Sequence, residues 1–150
     1  MPVLQSRAWV PAPIDEVFAF FDDPANLARL MPPPVRIRLV RIDPAPPRPG
    51  SIFEFRYGLG PIQRSWTIRL VDRVPGERFV DETISGPVAR FQHSHTFSPA
   101  RRGGTWIEDR VDFRVGPSGA LGTVVDTVAG LVMRLTFVWR HAMQRRILRG

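Results

Sequence analysis

The sequence predicts an α+β fold, a curved antiparallel sheet wrapped around one long C-terminal helix. Three observations lead there. Apolar residues between Ile37 and Val115 repeat with period two, as in half-buried strands. Short turns rich in Gly and Pro separate these runs, so successive strands pair antiparallel. From Leu121 the apolar period becomes helical and stays so for about seven turns.

Val3 to Val10 reads as a first strand, and Ile14 to Phe21 as a helix. Pro13 and the acids Asp15 and Glu16 suit a helix start, where free N–H groups and the dipole favour negative charge. Ile14, Val17, Phe18 and Phe21 form its apolar face, and Asp22-Asp23-Pro24 ends it. A second helical turn, Ala25 to Leu30, stops at Pro32-Pro33-Pro34. Ile37 and Leu39, with Arg41 in the same alternation, begin the sheet. Pro44 to Gly50 is a turn, after which Phe53, Phe55 and Tyr57 share one face. Gly58-Leu59-Gly60-Pro61 turns the chain into a strand where Trp66, Ile68 and Leu70 alternate with polar residues. Further strands follow over Phe79 to Ile84, Val88 to Phe97 and Thr105 to Val115. The long helix carries Leu121, Val124, Val125, Val128, Leu131, Val132, Leu135 and Trp139 as an apolar stripe. The sheet is the only partner large enough to cover that stripe, so it is expected to face inward. Gly130 on the helix is expected to leave room for a cavity beneath it.

Composition narrows the function. With 43% hydrophobic and 23% charged residues, the chain resembles neither a disordered tail nor a fibre. All 150 residues read as one domain, with no repeat or linker. No cysteine is present, which excludes thiol catalysis and Cys-ligated zinc. The first fifteen residues contain Arg7, Pro11 and Pro13 and no long apolar run, so no secretory leader is expected. Arg134 interrupts the longest apolar tract, so no stable membrane insertion is expected either. These readings suggest a cytoplasmic protein.

The net charge is +7, and every basic residue is Arg. The arginines are scattered, which argues against a nucleic-acid partner. The one dense group, Arg140, Arg145, Arg146 and Arg149, reads as a stabiliser of the last helical turn, with docking to an anionic membrane as its rival.

The tract Phe91-Gln92-His93-Ser94-His95-Thr96-Phe97 holds the most chemistry. Alternation puts both histidines on the face of Phe91 and Phe97, hence inward. An even-sum register places Asp109 opposite His93 or His95, and Asp81 on the preceding strand within reach. The simplest reading is that these buried groups satisfy one another. The functional reading is a polar patch for a ligand head group, or for acid–base work, with His93, His95, Asp81 and Asp109 as catalytic candidates. His-x-His beside a carboxylate can bind zinc or iron, but no longer motif supports it, so neither a metal nor another cofactor is expected. Phe53, Phe55, Tyr57, Trp66, Phe79, Phe91 and Phe113 on the sheet, with Leu131 and Leu135 on the helix, are the expected ligand-binding residues beside His93, His95 and Asp109.

The chain resembles the helix-grip fold of the SRPBCC superfamily, which includes START, Bet v 1 and polyketide cyclase/dehydrase proteins. The residues carrying the resemblance are Leu30-Met31-Pro32-Pro33, Gly58-Leu59-Gly60-Pro61 leading to Trp66, Phe79-Val80-Asp81-Glu82, Gly86-Pro87, His93-Ser94-His95-Thr96-Phe97, Gly103-Gly104-Thr105, Asp109-Arg110-Val111 and Pro117 to Gly122. The block from Phe79 to Val111 is similar to a branch of small bacterial cyclase/dehydrase-like or ligand-binding proteins. Phe91 departs from that branch, where Trp is more usual. The resemblance implies a cavity between sheet and C-terminal helix that holds an apolar or lipid-like ligand. The alternative it implies is a cyclase or dehydratase using the His/Asp patch as acid and base.

Overall fold

The structure, a computed structural model, describes residues 2–149. Strand β1 (Val3–Val10) leads to helix α1 (Ile14–Asp22). A 3-10 turn (Pro24–Asn26) then runs into the short α2 (Leu27–Leu30). Six strands follow: β2 (Arg36–Asp43), β3 (Ile52–Leu59), β4 (Ile62–Val74), β5 (Arg78–Ser85), β6 (Arg90–Pro99) and β7 (Thr105–Arg114). The helix α3 (Ala120–Ile147) closes the fold. The seven strands form one sheet in the order β1-β7-β6-β5-β4-β3-β2, with every neighbouring pair antiparallel. This is the helix-grip α+β architecture.

Local chemistry explains the short elements. Pro13 precedes the first turn of α1, and Asp15 and Glu16 lie within it. Val17, Phe18 and Phe20 are its buried residues. Asp23 ends α1, and its carboxylate accepts from the Ala25 N–H at 3.0 Å, which starts the next turn with Pro24 in first position. In β2 the expected alternation breaks. A bulge between Leu39 and Arg41 shifts the register, so Arg41 is exposed and Ile42 takes the inward place.

The main core lies between α1, α2 and the concave face of the sheet, with Phe18, Phe53, Phe55, Ile68, Phe79 and Phe97 buried. A smaller core of Leu4, Val111, Phe113 and Phe137 sits under α3.

The long helix is turned the opposite way from expectation. Its buried residues are Gly122, Asp126, Phe137, Arg140 and Gln144. Leu121, Val124, Val128, Leu131, Val132, Leu135 and Val138 point outward, each between 58% and 69% exposed, and Trp139 is 39% exposed. Two close contacts at its start set this rotation. Asp126 accepts from the N–H groups of Val115 and Gly116 at 2.7 and 2.9 Å. A Cβ on Gly122 would lie 1.5 Å from the Pro117 carbonyl oxygen, so only glycine lets the preceding loop fold back here. Over an 18-residue window α3 reaches a mean hydropathy of 1.6, long and apolar enough to cross a membrane despite Arg134. Its other face is nevertheless fastened to the sheet.

Candidate functional site

The site begins with the register of three strands. Phe79 pairs with His95 and Asp81 with His93 across β5 and β6. His95 pairs with Asp109 across β6 and β7. Alternation turns all of these side chains to the concave face, and both imidazoles are 4% exposed. His93 Nε2 lies 2.8 Å from Asp109 Oδ1, so this ring donates from Nε2. His95 Nδ1 lies 2.9 Å from the same oxygen, at an angle too poor for a hydrogen bond. His95 Nε2 faces Asp81 at 3.6 Å. The third histidine, His141 on α3, approaches Asp109 Oδ2 at 3.8 Å and Ser6 Oγ at 3.1 Å. The two strand histidines stack with centroids 3.8 Å apart, and Phe79 covers His95 at 4.2 Å.

These neighbours divide the proton affinities. Burial, then the charge on His95, push His93 down to about 4 against the pull of Asp109. Burial also works against the charged form of His95. Its contacts with Asp109 and Asp81 outweigh that and hold it above the ordinary histidine value. Burial would raise the Asp109 carboxyl, but His141, His93 and His95 together hold it well below the usual carboxylate range. His95 is therefore the imidazole that more readily holds a proton beside the Asp109 carboxylate, with His93 neutral next to them.

A cavity opens on one side of this cluster, with about 110 Å³ of free volume. Phe53, Phe55, Trp66, Phe79 and Phe91 form its aromatic wall, and Ile68 and Leu70 add aliphatic surface. The Trp66 N–H is satisfied by Thr83 Oγ1 at 2.9 Å, which fixes that ring. Phe20, Phe21 and the segment from Asp22 to Leu30 cover the cavity, with Pro47 beside them. Asp22 also grips Arg73 through two hydrogen bonds of 2.7 Å, tying the end of α1 to β4 at the rim. Asp81, His93, His95 and Arg140 supply the polar end.

The cavity thus lies under α1 and α2 rather than beneath the middle of α3. Gly130 leaves no space there, because the Phe113 ring already fills it; a Cβ would meet that ring at 3.4 Å. Leu131 and Leu135, expected in the wall, are on the outside of the molecule, at 61% and 64% exposed. Phe113 belongs to the core under α3, and Tyr57 packs edge-on against Trp66 without lining the cavity. Asp109 stands behind the histidines, buried and not lining this cavity. Arg140 is the functional residue that sequence reasoning misses, since it reads there as one of the surface arginines at the helix end. It is 9% exposed and lies against the Phe137 ring at 4.9 Å. Burial lowers its proton affinity, opposed by the nearby Asp109 and Asp81 charges. Its spacing of three residues from Phe137 was the available signal.

Asp81, His93 and His95 each offer a ligand atom within 4.8 Å of the others, a donor set that suits zinc or iron. The histidine donors are also the groups that face Asp109 and Asp81.

Residues 10–140 match the sequence profile of the family described as polyketide cyclase/dehydrase and lipid transport. No curated protein matches the chain. Among solved structures, protein CV1439 from Chromobacterium violaceum is similar over 100% of this chain and 99% of its own, with 16% identity and a TM-score of 0.79. The di-domain ARO/CYC BexL from the BE-7585A biosynthetic pathway matches 97% of this chain and 46% of its own, at 20% identity and a TM-score of 0.70. Ara h 8.0201 matches over 94% and 95%, at 13% identity and a TM-score of 0.65.

Proposed function

The chain belongs to the family of polyketide cyclase/dehydrase and lipid-transport proteins, and from that premise we propose that it binds a small apolar molecule in the cavity beneath α1 and α2. One observation carries the reading: five aromatic rings enclose a space that ends in a few convergent polar groups. The free volume of about 110 Å³ sets the scale. This is somewhat smaller than the dry cavity of about 150 Å³ that accepts benzene, so as the walls stand the space takes a ligand part of at most about one ring. A longer lipid-like ligand must extend past Pro47 and the α1–α2 segment. A cytoplasmic location, expected from the sequence, is part of this proposal.

Native mass spectrometry of freshly purified protein tests it, followed by titration with 3-phenylpropanol. A co-purified apolar molecule, or saturable one-to-one binding that Leu70→Trp blocks, is the expected result. Failure of apolar probes of this size to bind, with nothing co-purified, would overturn it.

A second reading, a cyclase or dehydratase, draws on Asp81 and His95, which face the cavity and can serve a ligand as proton acceptor and donor. In that case His95→Gln retains binding and loses all turnover. Unchanged turnover in that variant would remove the acid–base role.

A further inference from the structure

We propose that the bound molecule is a carboxylic acid and that Arg140 receives its carboxylate; the proposal rests on the cavity reading above. Arg140 is nine-tenths buried and lines the polar end of the cavity. Its Nε has no hydrogen-bond partner, and no carboxylate among the described residues forms an ion pair with it. A buried guanidinium without an acceptor is costly, and folded proteins normally pair such groups. The neighbouring candidates are engaged elsewhere. Asp109 is held by His93, and Asp81 faces His95. One turn along α3, the fully buried Gln144 amide is itself without partners and does not satisfy the guanidinium. The other arginine on the wall, Arg73, is saturated by Asp22. Arg140 is therefore the cation left for a ligand among the described residues of the wall. A planar carboxylate matches the guanidinium fork in two parallel hydrogen bonds. The apolar body of the acid would lie against Phe53, Phe55 and Trp66.

Calorimetric titration at pH 7 compares 3-phenylpropanoate, 3-phenylpropanol and 3-phenylpropylamine. The acid is expected to bind at least tenfold more tightly than the alcohol, and the amine most weakly. Arg140→Gln should remove the acid's advantage and change the affinity for the alcohol by less than about threefold. Arg140→Lys, which keeps the charge, should retain part of the preference and guards against a misfolded glutamine variant. Equal binding of acid and alcohol to the wild type would overturn the head-group assignment and leave the cavity reading standing. An acid preference that survives Arg140→Gln in a folded protein would overturn it too. Absence of binding by all three probes would defeat the cavity reading itself.

A different observation carries a second inference. The outer face of α3 points to docking on an anionic lipid membrane, with the helix lying in the plane of the surface. Seven aliphatic side chains from Leu121 to Val138 stand more than half exposed in one stripe along a helix of 28 residues, about 42 Å long. Water-facing patches of that extent mark interaction surfaces. The charges around it have one sign. Arg134, Arg145, Arg146 and Arg149 are exposed, while Asp126, the only acid between Gly116 and Arg149, is buried. Trp139 is exposed between the aliphatic stripe and Arg145–Arg146, as in helices that lie at a lipid interface. A second copy fits less well, because no acid on this face meets the partner's arginines and each copy carries +7. A transmembrane position conflicts with the buried Asp126, Arg140 and Gln144 on the opposite face.

Vesicle co-sedimentation at physiological salt tests this with phosphatidylcholine alone and with phosphatidylcholine containing 30% phosphatidylglycerol. Pelleting on the anionic vesicles is expected, with at least a fivefold loss for Leu131→Ser/Leu135→Ser and for Arg145→Gln/Arg146→Gln/Arg149→Gln. Failure to pellet with either vesicle would overturn the inference. So would a dimer in light scattering that the two leucine substitutions split.

Discussion

The two faces of α3 reverse the usual arrangement of a core helix. The face against the sheet carries Asp126, Arg140, His141 and Gln144, and Phe137 is its one large buried apolar side chain. The solvent face carries seven exposed aliphatic residues. The inner face is polar because it meets a polar interior, where His141 and Arg140 approach the His/Asp cluster. Its grip comes from Phe137 packed on Phe113 and Val111, and from the Asp126 carboxylate on the loop before the helix. An apolar stripe therefore locates a hydrophobic surface without saying which neighbour it meets.

Four measurements can break or sharpen that contrast. Phe137→Ala should be the most damaging, since it empties the main apolar contact of the inner face; a loss of about 3–5 kcal/mol in urea unfolding is expected. Equal stability would show that the inner face does not hold the helix. Acid comes next. His93 is neutral when folded, with a value of about 4 against about 6.5 when unfolded. Its contribution is thus fully present above pH 6.5 and is lost as the pH falls toward 4. The loss is on the order of 3 kcal/mol over that window. His95, held above its ordinary value, acts in the opposite sense: its contribution is present in acid and fades as the pH rises through its folded value. Urea midpoints at pH 7 and 4.5 should fall more steeply in the wild type than in His93→Gln; parallel slopes would remove His93 from the acid response. Gly122→Ala forces a Cβ into the Pro117 carbonyl, for which a cost of about 1–3 kcal/mol is expected in thermal unfolding. Leu135→Ala on the outer face should be smallest, within about 0.5 kcal/mol. A drop as large as that of Phe137→Ala would mean that the stripe is covered within the fold.

Much of this architecture is legible in the sequence, because strands advertise themselves locally. Alternation in Phe91 to Phe97 is enough to turn His93 and His95 inward, and the short turn before Thr105 is enough to bring Asp109 opposite His95. Period-based reading fails where one contact overrides the pattern. The bulge at Val40 exchanges Arg41 for Ile42 on the inward side. The rotation of α3 is set by Gly122 and Asp126, two small features against a stripe of aliphatics, and no hydrophobic period encodes them. Arg140 is hidden for the same reason. Its role depends on the rotation, and its neighbours in sequence make it look like part of a surface cluster. The position of the cavity likewise depends on how far α1 and α2 lie from the sheet, a distance between elements distant in sequence.

The placement of the tryptophans gives the molecule its own optical reporters. Trp66 lines the cavity with its N–H held by Thr83, so a ligand there changes the surroundings of an immobilised indole. Trp139 stands on the outer stripe, open to a quencher in water. Trp9 and Trp106 face each other across β1 and β7, with the Arg7 guanidinium 4.0 Å above the Trp106 ring, far along the chain from both surfaces in question. Phenylalanine at Trp66 or at Trp139 silences that reporter, and the difference from the wild-type emission isolates its contribution above the background of Trp9 and Trp106. Emission from the cavity and from the outer stripe can then be followed separately, without a label, by comparing the wild type with each variant.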